Sequence, residues 1–219
     1  MKTVTKSAVR QPPRGIPLDT IRRLSICLRA LNRLKERGIA TVNSVELAEP
    51  LNFSSEQLRK DLSYFGRFGK AGVGYNVGQL SGKIHSILGT DKVWNVAVLG
   101  AGELGTALLG YSGFEDFNLR VCAALDNDPR KIGKTINGVR VSDIAGLSGV
   151  VRRNEIKAAI LTVTKTAAQE VAQKAVSCGI KAVLNFAPVT LNLPKGVHVS
   201  NMDVSCELET LVCRLANCN

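Results

Sequence analysis

Gly100, Gly102 and Gly105 are spaced G-x-G-x-x-G, directly after the apolar run 93–99 and directly before Thr106-Ala107-Leu108-Leu109. Between a strand and a helix, that spacing suits the pyrophosphate of a dinucleotide. Gly100 supports the tight turn, Gly102 lets the backbone approach the phosphates, and Gly105 lets the helix pack on the strand. Ala101, Glu103 and Leu104 complete the loop, and the N–H groups at the helix start favour an anion. A second apolar run, 119–125, ends at Asp126, which lies 21 residues beyond Gly105. An acid at the end of that strand can accept a hydrogen bond from a ribose 2′-OH and would repel a 2′-phosphate. The constellation therefore favours NAD(H) over NADP(H).

A second group of residues suits polyanions. Ser55, Gln57, Arg59, Lys60 and Ser63 share the polar side of a short amphipathic segment whose apolar residues are Leu58, Leu62 and Phe65. A glycine-rich ribbon follows, Arg67-Phe68-Gly69-Lys70-Ala71-Gly72-Val73-Gly74-Tyr75, in which Arg67 and Lys70 can reach phosphates. Upstream, Lys2, Lys6, Arg10 and Arg14 form a basic arm interrupted by Pro12 and Pro13, of the kind that lies along phosphates or in a minor groove. With Tyr64, Gly72 and Tyr75 added from the end of the helix and the ribbon, these residues make up the candidate DNA-binding set.

The elements that must hold these groups are legible in the apolar periodicity. Leu18 to Arg37 has helical spacing with Gly38 as its stop. A short helix fits Val45–Glu49, with Ser44 as N-cap and Pro50 as stop. A third starts at Ser54, where Ser54 and Gln57 suggest a capping box and Phe53 a staple onto Leu58. Three helices and a glycine ribbon make the pattern of a winged helix-turn-helix, whose third helix enters the major groove. A linker helix is expected over Val77, Leu80, Ile84, Ile87 and Leu88, ending at Gly89.

Beyond it, strands at 93–99, 119–125, 158–163, 180–185 and 197–199 alternate with helices, including one from Ala167 to Cys178. That alternation predicts an α/β, doubly wound parallel sheet of Rossmann type. Ligands of such sheets sit beyond the strand C-terminal ends, which brings Thr162, Val163, Thr164, Asn185 and Phe186 toward the cofactor. A last helix, Asp203 to about Leu215, carries an apolar stripe of Val204, Leu208, Leu211, Val212 and Leu215 that must be buried on its own sheet or on a partner subunit. The expected division is a basic arm and winged helix over 1–76, a linker helix over 77–90, a dinucleotide domain over 91–200 and a dimerisation helix over 201–219.

Charge agrees with this division. The 219-residue chain carries a formal +11. Residues 1–85 hold 15 Lys/Arg against 6 Asp/Glu, so most of the excess is N-terminal, as a polyanion partner requires. No apolar run approaches the ~20 residues of a membrane span. Met1 to Gln11 shows no secretory signal. The six cysteines form no CxxC pair and fit the reduced thiols of a cytoplasm. Cys122 and Cys178 are expected in the core.

The run Gln57-Leu58-Arg59-Lys60-Asp61-Leu62-Ser63-Tyr64-Phe65-Gly66, then Phe68-Gly69 and Gly72-Val73-Gly74-Tyr75, closely resembles the Rex family of bacterial redox-sensing repressors. So do the glycine motif, Ala168-Gln169-Glu170, Gly179-Ile180-Lys181, Asn185-Phe186-Ala187-Pro188 and Asn201-Met202-Asp203. The resemblance implies a homodimer with the C-terminal helix swapped between subunits. It also implies that the dimer binds double-stranded operator DNA, expected to be an inverted repeat, and that NADH releases it. It places Lys131 and Ile132 beside the adenine, and it pairs Tyr111 and Asp203 near the nicotinamide across the dimer. Glu103 stands where many relatives carry Asn, and Thr164 where many carry Pro.

Two other readings remain at this point. A small NAD-dependent oxidoreductase would need an acid/base near the nicotinamide, and the chain has only His85 and His198. A CoA- or nucleotide-binding module without DNA activity would leave Arg59 and Lys60 without a purpose. No catalytic residue and no metal site is expected.

Overall fold

The computed structural model describes residues 16–69 and 72–217. Arg10, Arg14, Lys70 and Cys218 lie outside them. The chain divides into two compact units at Lys92/Val93, just beyond the boundary region expected from sequence.

In the first unit, α1 (Leu18–Glu36) buries Leu24, Cys27, Leu28 and Leu31 completely. Burial pushes the Cys27 thiol up to about 12, so it is an inert packing group. The second helix, α2 (Ser44–Ala48), is capped by Asn43 rather than Ser44. Asn43 Oδ1 accepts from the N–H groups of Val45 and Glu46, and Glu46 accepts from the Asn43 N–H, a complete capping box. Ser54 caps α3 (Ser55–Ser63) by accepting from the Gln57 N–H at 3.1 Å. The reciprocal arm of that box is missing, because the Gln57 side chain turns to Asp61 instead.

Among the described residues the glycine ribbon does not pair with itself. The strand β1 (Thr41–Val42) pairs antiparallel with β2 (Tyr75–Asn76). The described ribbon residues between Gly66 and Gly74 form no ladder, because Gly66, Gly69, Gly72 and Gly74 all have positive φ. That backbone turns rather than extends. A Cβ on Gly69 would collide with the Gly74 carbonyl, so the two glycines fold the ribbon onto itself. The helix α4 (Val77–Leu88) is a core element of this unit rather than a connector. It packs along α1, burying Val77, Leu80, Ser81 and Ile84, and Ser81 donates to Asn32 at 3.1 Å.

The second unit is built on a sheet in the order β5-β6-β4-β3-β7-β8-β9. The strands are β3 (Trp94–Leu99), β4 (Leu119–Asp126), β5 (Thr135–Ile136), β6 (Val139–Asp143), β7 (Ala158–Leu161), β8 (Ala182–Asn185) and β9 (His198–Asn201). All neighbours are parallel except the antiparallel β5–β6 pair. The helices are α5 (Glu103–Leu109), α6 (Leu147–Arg153), α7 (Lys165–Ser177) and α8 (Val204–Ala216).

Both faces of the sheet are covered. Ala97 and Leu99 of β3 point into one core with residues of α6 and α7, and Val96 and Val98 into the other with Leu109 of α5. A strand buried on both faces reads as a continuous apolar run, which is why these strands were visible in sequence. The β5–β6 pair and α6 were not, being short and polar-edged. Cys122 and Cys178, expected in the core, are only partly buried.

Candidate functional site

Strand β3 has β4 on one side and β7 on the other, so the chain changes direction across the sheet at the C-terminal end of β3. A crevice opens there by construction. A cleft of about 440 Å³ occupies it, lined by Gly100, Gly102, Asp126, Lys131 and Thr162–Thr164, all anticipated from sequence or resemblance. Asn127, Ile144, Ala167, Glu170, Val171 and Lys174 also line it and were not anticipated. For Ala167, Glu170 and Val171 the signal was the position of α7 after β7, since its first turns face the strand ends, and for Asn127 it was its place directly after Asp126.

The three motif glycines have distinct surroundings. A Cβ on Gly100 would meet the Thr162 carbonyl at 2.8 Å, at a φ of +101°, and one on Gly105 would strike the Gly100 carbonyl oxygen. A Cβ on Gly102 would meet nothing within 4 Å. Gly100 and Gly105 therefore serve the fold, while Gly102 keeps one wall of the cleft bare. Thr162 Oγ1 donates to the Gly100 carbonyl at 2.7 Å and pins the loop to β7. Glu103 is exposed in the first turn of α5, as is Leu104.

Asp126 is 8% exposed. Its Oδ2 accepts from the Ala101 N–H at 2.7 Å and Lys131 Nζ at 3.0 Å, and Oδ1 accepts from the Asp128 N–H at 2.8 Å. Burial raises its pKa, but the Asp128 amide, Lys131 and the Ala101 amide outweigh that and hold the carboxyl below its ordinary range. It is a fixed anion. A carboxylate offers about four acceptor positions, so one remains for a ribose hydroxyl.

Several anticipated residues lie elsewhere. Asn185 is buried at 1% and consumed by its own turn. Its amide donates to the carbonyls of Ala187 and Val189 and to Asn201 Oδ1, and accepts from the Ala187 N–H. Phe186 is partly buried against the α5-side core. Ile132 does not line the cleft. Tyr111 is exposed and stacks edge-on with Phe114 at 5.0 Å. Asp203 is the N-cap of α8, accepting from the Ser205 and Cys206 N–H groups. His198 lies on exposed β9 away from the cleft, and His85 Nδ1 pairs with Thr90 Oγ1 at 2.8 Å.

In the first unit, α3 buries Leu58, Asp61 and Leu62 and exposes Arg59, Lys60, Ser63 and Tyr64. Arg59 Nη1 donates to Ser44 Oγ at 2.7 Å beside a groove of about 340 Å³ formed with Phe68, Gly72 and Tyr75. Arg67 is exposed, and Ser55 and Gln57 are half-buried. Tyr75, expected to touch DNA, is instead buried at 7%, and burial raises its phenol pKa. Sequence reasoning missed Asp61 altogether. It is 1% exposed and accepts from Thr20, Gln57 and Arg23, each on Oδ1 at 2.9 Å, and from Arg23 Nε on Oδ2. Burial raises its pKa, but these donors, Arg23 foremost, hold it below its ordinary value. Among the described residues no cluster could hold a metal ion, and no helix is long and apolar enough to cross a membrane.

A dinucleotide cleft at the switch point of a parallel sheet, joined to a unit with a helix that exposes Arg59 and Lys60, defines the class of ligand-responsive DNA-binding regulators. The chain belongs within that class to the Rex family of redox-sensing transcriptional repressors. It is 45% identical over 196 residues to the redox-sensing transcriptional repressor Rex of Desulfitobacterium hafniense, covering 90% of this chain and 93% of the relative. It is 46% identical over 201 residues to that of Desulforamulus reducens, covering 92% and 96%.

A crystal structure of RSP in complex with beta-NAD+ and operator DNA superposes with a TM-score of 0.86 at 37% identity, covering 91% of this chain and 92% of that one. RSP in complex with beta-NADH gives 0.82 at 35% identity, covering 92% and 94%. A CoA-binding-domain model matches residues 91–189, and a model for the N-terminus of DNA-binding proteins matches 15–63. The family membership, shown by relatives that are transcriptional repressors, removes the readings of an oxidoreductase and of a nucleotide module without DNA activity.

Proposed function

We infer that this chain represses transcription by binding operator DNA and reports the NADH/NAD⁺ ratio by leaving that DNA when NADH is bound. The unit up to Lys92 contacts the DNA, and the unit from Val93 holds the dinucleotide. The single observation that carries the reading is the Rex likeness running through both units at 45% identity over 90% of the chain. The fit to a dinucleotide rests on two local facts. Gly102 leaves its wall of the cleft open to phosphates, and Asp126 is held as an anion at the far end of β4. The bound nicotinamide contributes a charge that differs by one unit between its two redox forms. This chain contributes the loop 100–105 for the pyrophosphate and Asp126 for the adenosine ribose, while Lys131, Ile144 and Val171 enclose the adenosine side. The protein binds and releases; it is a regulator and not a dehydrogenase.

The working form is a homodimer in the bacterial cytoplasm. All of α8 is exposed in the single chain, with Val204, Leu208, Leu211, Val212 and Leu215 between 55% and 74% accessible. An apolar stripe of that kind belongs at a subunit interface. Two-fold symmetry then presents two α3 helices to an inverted-repeat operator.

A ligand shifts an equilibrium only by its differential affinity. NADH that weakens DNA binding tenfold must bind the DNA-free dimer tenfold better, about 1.4 kcal/mol. The decisive experiment is binding to an operator duplex titrated with NAD⁺ and NADH separately. Release by NADH alone is expected, and indifference to both nucleotides would overturn the reading.

A further inference from the structure

We propose that Asp61 is a positioning residue that locks the Gln57 amide with its carbonyl outward. Gln57 thereby becomes a specificity-determining residue for a base bearing an exocyclic amino group, adenine N6 or cytosine N4. The inference rests on α3 being the helix that reads DNA.

The argument starts at the buried carboxylate. Asp61 is surrounded by donors only: the Thr20 hydroxyl, the Arg23 guanidinium and Gln57 Nε2, with 2.9 Å contacts from all three on Oδ1. Arg23 keeps it ionised, and an ionised carboxylate only accepts. An amide has two faces, and only its NH₂ end can stand against such a group. Flipping Gln57 would lose that bond and set its carbonyl oxygen against a buried negative charge, which is costly where water is excluded. The amide orientation is therefore dictated by the carboxylate. With Nε2 held by Asp61, Oε1 is the acceptor that Gln57 has left to offer.

Gln57 sits in the first turns of α3 and is half-buried, at the border between the packed and exposed faces. Residues at the N-terminal end of a recognition helix are the ones that reach base edges. That carbonyl oxygen accepts from adenine N6 or cytosine N4 and repels guanine O6 or thymine O4, and the second Nε2 hydrogen can serve adenine N7 beside it. A glutamine free to flip could satisfy either pair. Asp61 removes that freedom and turns an ambivalent side chain into a selective one. Arg59 and Lys60, exposed on the same helix, supply the affinity that this choice modulates.

The test uses the full-length protein and an operator duplex selected by it from a randomised pool, then every single-base variant of that duplex. Wild type is expected to prefer adenine or cytosine over guanine or thymine by about tenfold at one position in each half-site. Gln57→Ala should erase that preference there and leave other positions unchanged. Asp61→Asn, whose amide can accept as well as donate, should relax the same position towards guanine and thymine.

The inference fails if Gln57→Ala alters no position, if the altered position favours guanine or thymine, or if folded Asp61→Asn keeps the full preference. Should Asp61→Asn not fold, the base identity lost in Gln57→Ala still decides the matter. Arg59→Ala and Lys60→Ala separate the two levels. If these also leave affinity unchanged, the reading of α3 itself is wrong. If they weaken every sequence alike while Gln57→Ala changes nothing, only this inference falls.

Discussion

At the scale of residues, identical glycines have unlike duties. Gly105→Ala drives a Cβ into the Gly100 carbonyl, and an overpacked contact of that kind costs at least ~2 kcal/mol. It should lower the melting temperature with or without nucleotide. Gly102→Ala projects into open space. Its thermal unfolding should match wild type while its NADH affinity falls, and calorimetric titration beside a melting curve separates the two effects. Asp126 carries a double load, because it accepts from two backbone amides as well as Lys131. Asp126→Ala would orphan both amides, whereas Asp126→Asn keeps one carbonyl acceptor and orphans only one, so it is the milder probe. Loss of the fixed charge, with Lys131 freed, should raise NADPH affinity relative to NADH. Unchanged selectivity would remove Asp126 from the ribose role.

At the scale of elements, α3 is held to α1 by one buried ion pair. Removing Asp61 leaves Arg23 without its partner. The expected cost is roughly 3 kcal/mol, at the low end for a broken buried pair because Arg23 keeps part of its guanidinium in water. The pH dependence has a definite sign. Asp61 has a folded pKa below its unfolded value of about 3.9. Its contribution is thus complete above pH ~4 and disappears as pH falls through the lower, folded value. Wild type should lose stability through that acid window more steeply than Asp61→Asn, as followed by denaturant unfolding from pH 5 down to about pH 2.

Helices and buried strands were visible from sequence because periodicity and continuous apolar runs are local signals. The course of the ribbon was not legible because glycine permits both a tight turn and a left-handed bend. Only the packing of Gly74 against the Val42 carbonyl and of Gly69 against Gly74 selects the latter. The helix α4 read as a connector because its sequence position says nothing about Ser81 reaching Asn32 on α1.

At the scale of the whole molecule, charge and exposure point in the same direction. The N-terminal excess of 15 Lys/Arg over 6 Asp/Glu in residues 1–85 is doubled in a dimer. Operator affinity should fall steeply with salt as phosphate contacts release counterions. A flat salt response in a filter-binding series would contradict an electrostatic contribution. Leu208→Asp with Leu211→Asp places two charges in the exposed stripe of α8. Sedimentation should then report a monomer, and operator affinity should fall because the second half-site contact is lost.

The sequence by itself determined the two-part plan, the strand–glycine–helix turn, the acid at the end of β4, the amphipathic helix α3 and the kinship to Rex. Each of these is written in neighbouring residues or in fixed spacings along the chain. Only the tertiary structure decided what long-range packing controls. It buried Tyr75, spent the Asn185 amide on its own turn, and brought Ile144, Val171 and Lys174 to the cleft. It also gathered Thr20, Arg23 and Gln57 around Asp61. A charged residue on a helix looks the same in sequence whether it meets water or a guanidinium from 38 residues away, and desolvation, which settles that difference, exists only once the chain has folded.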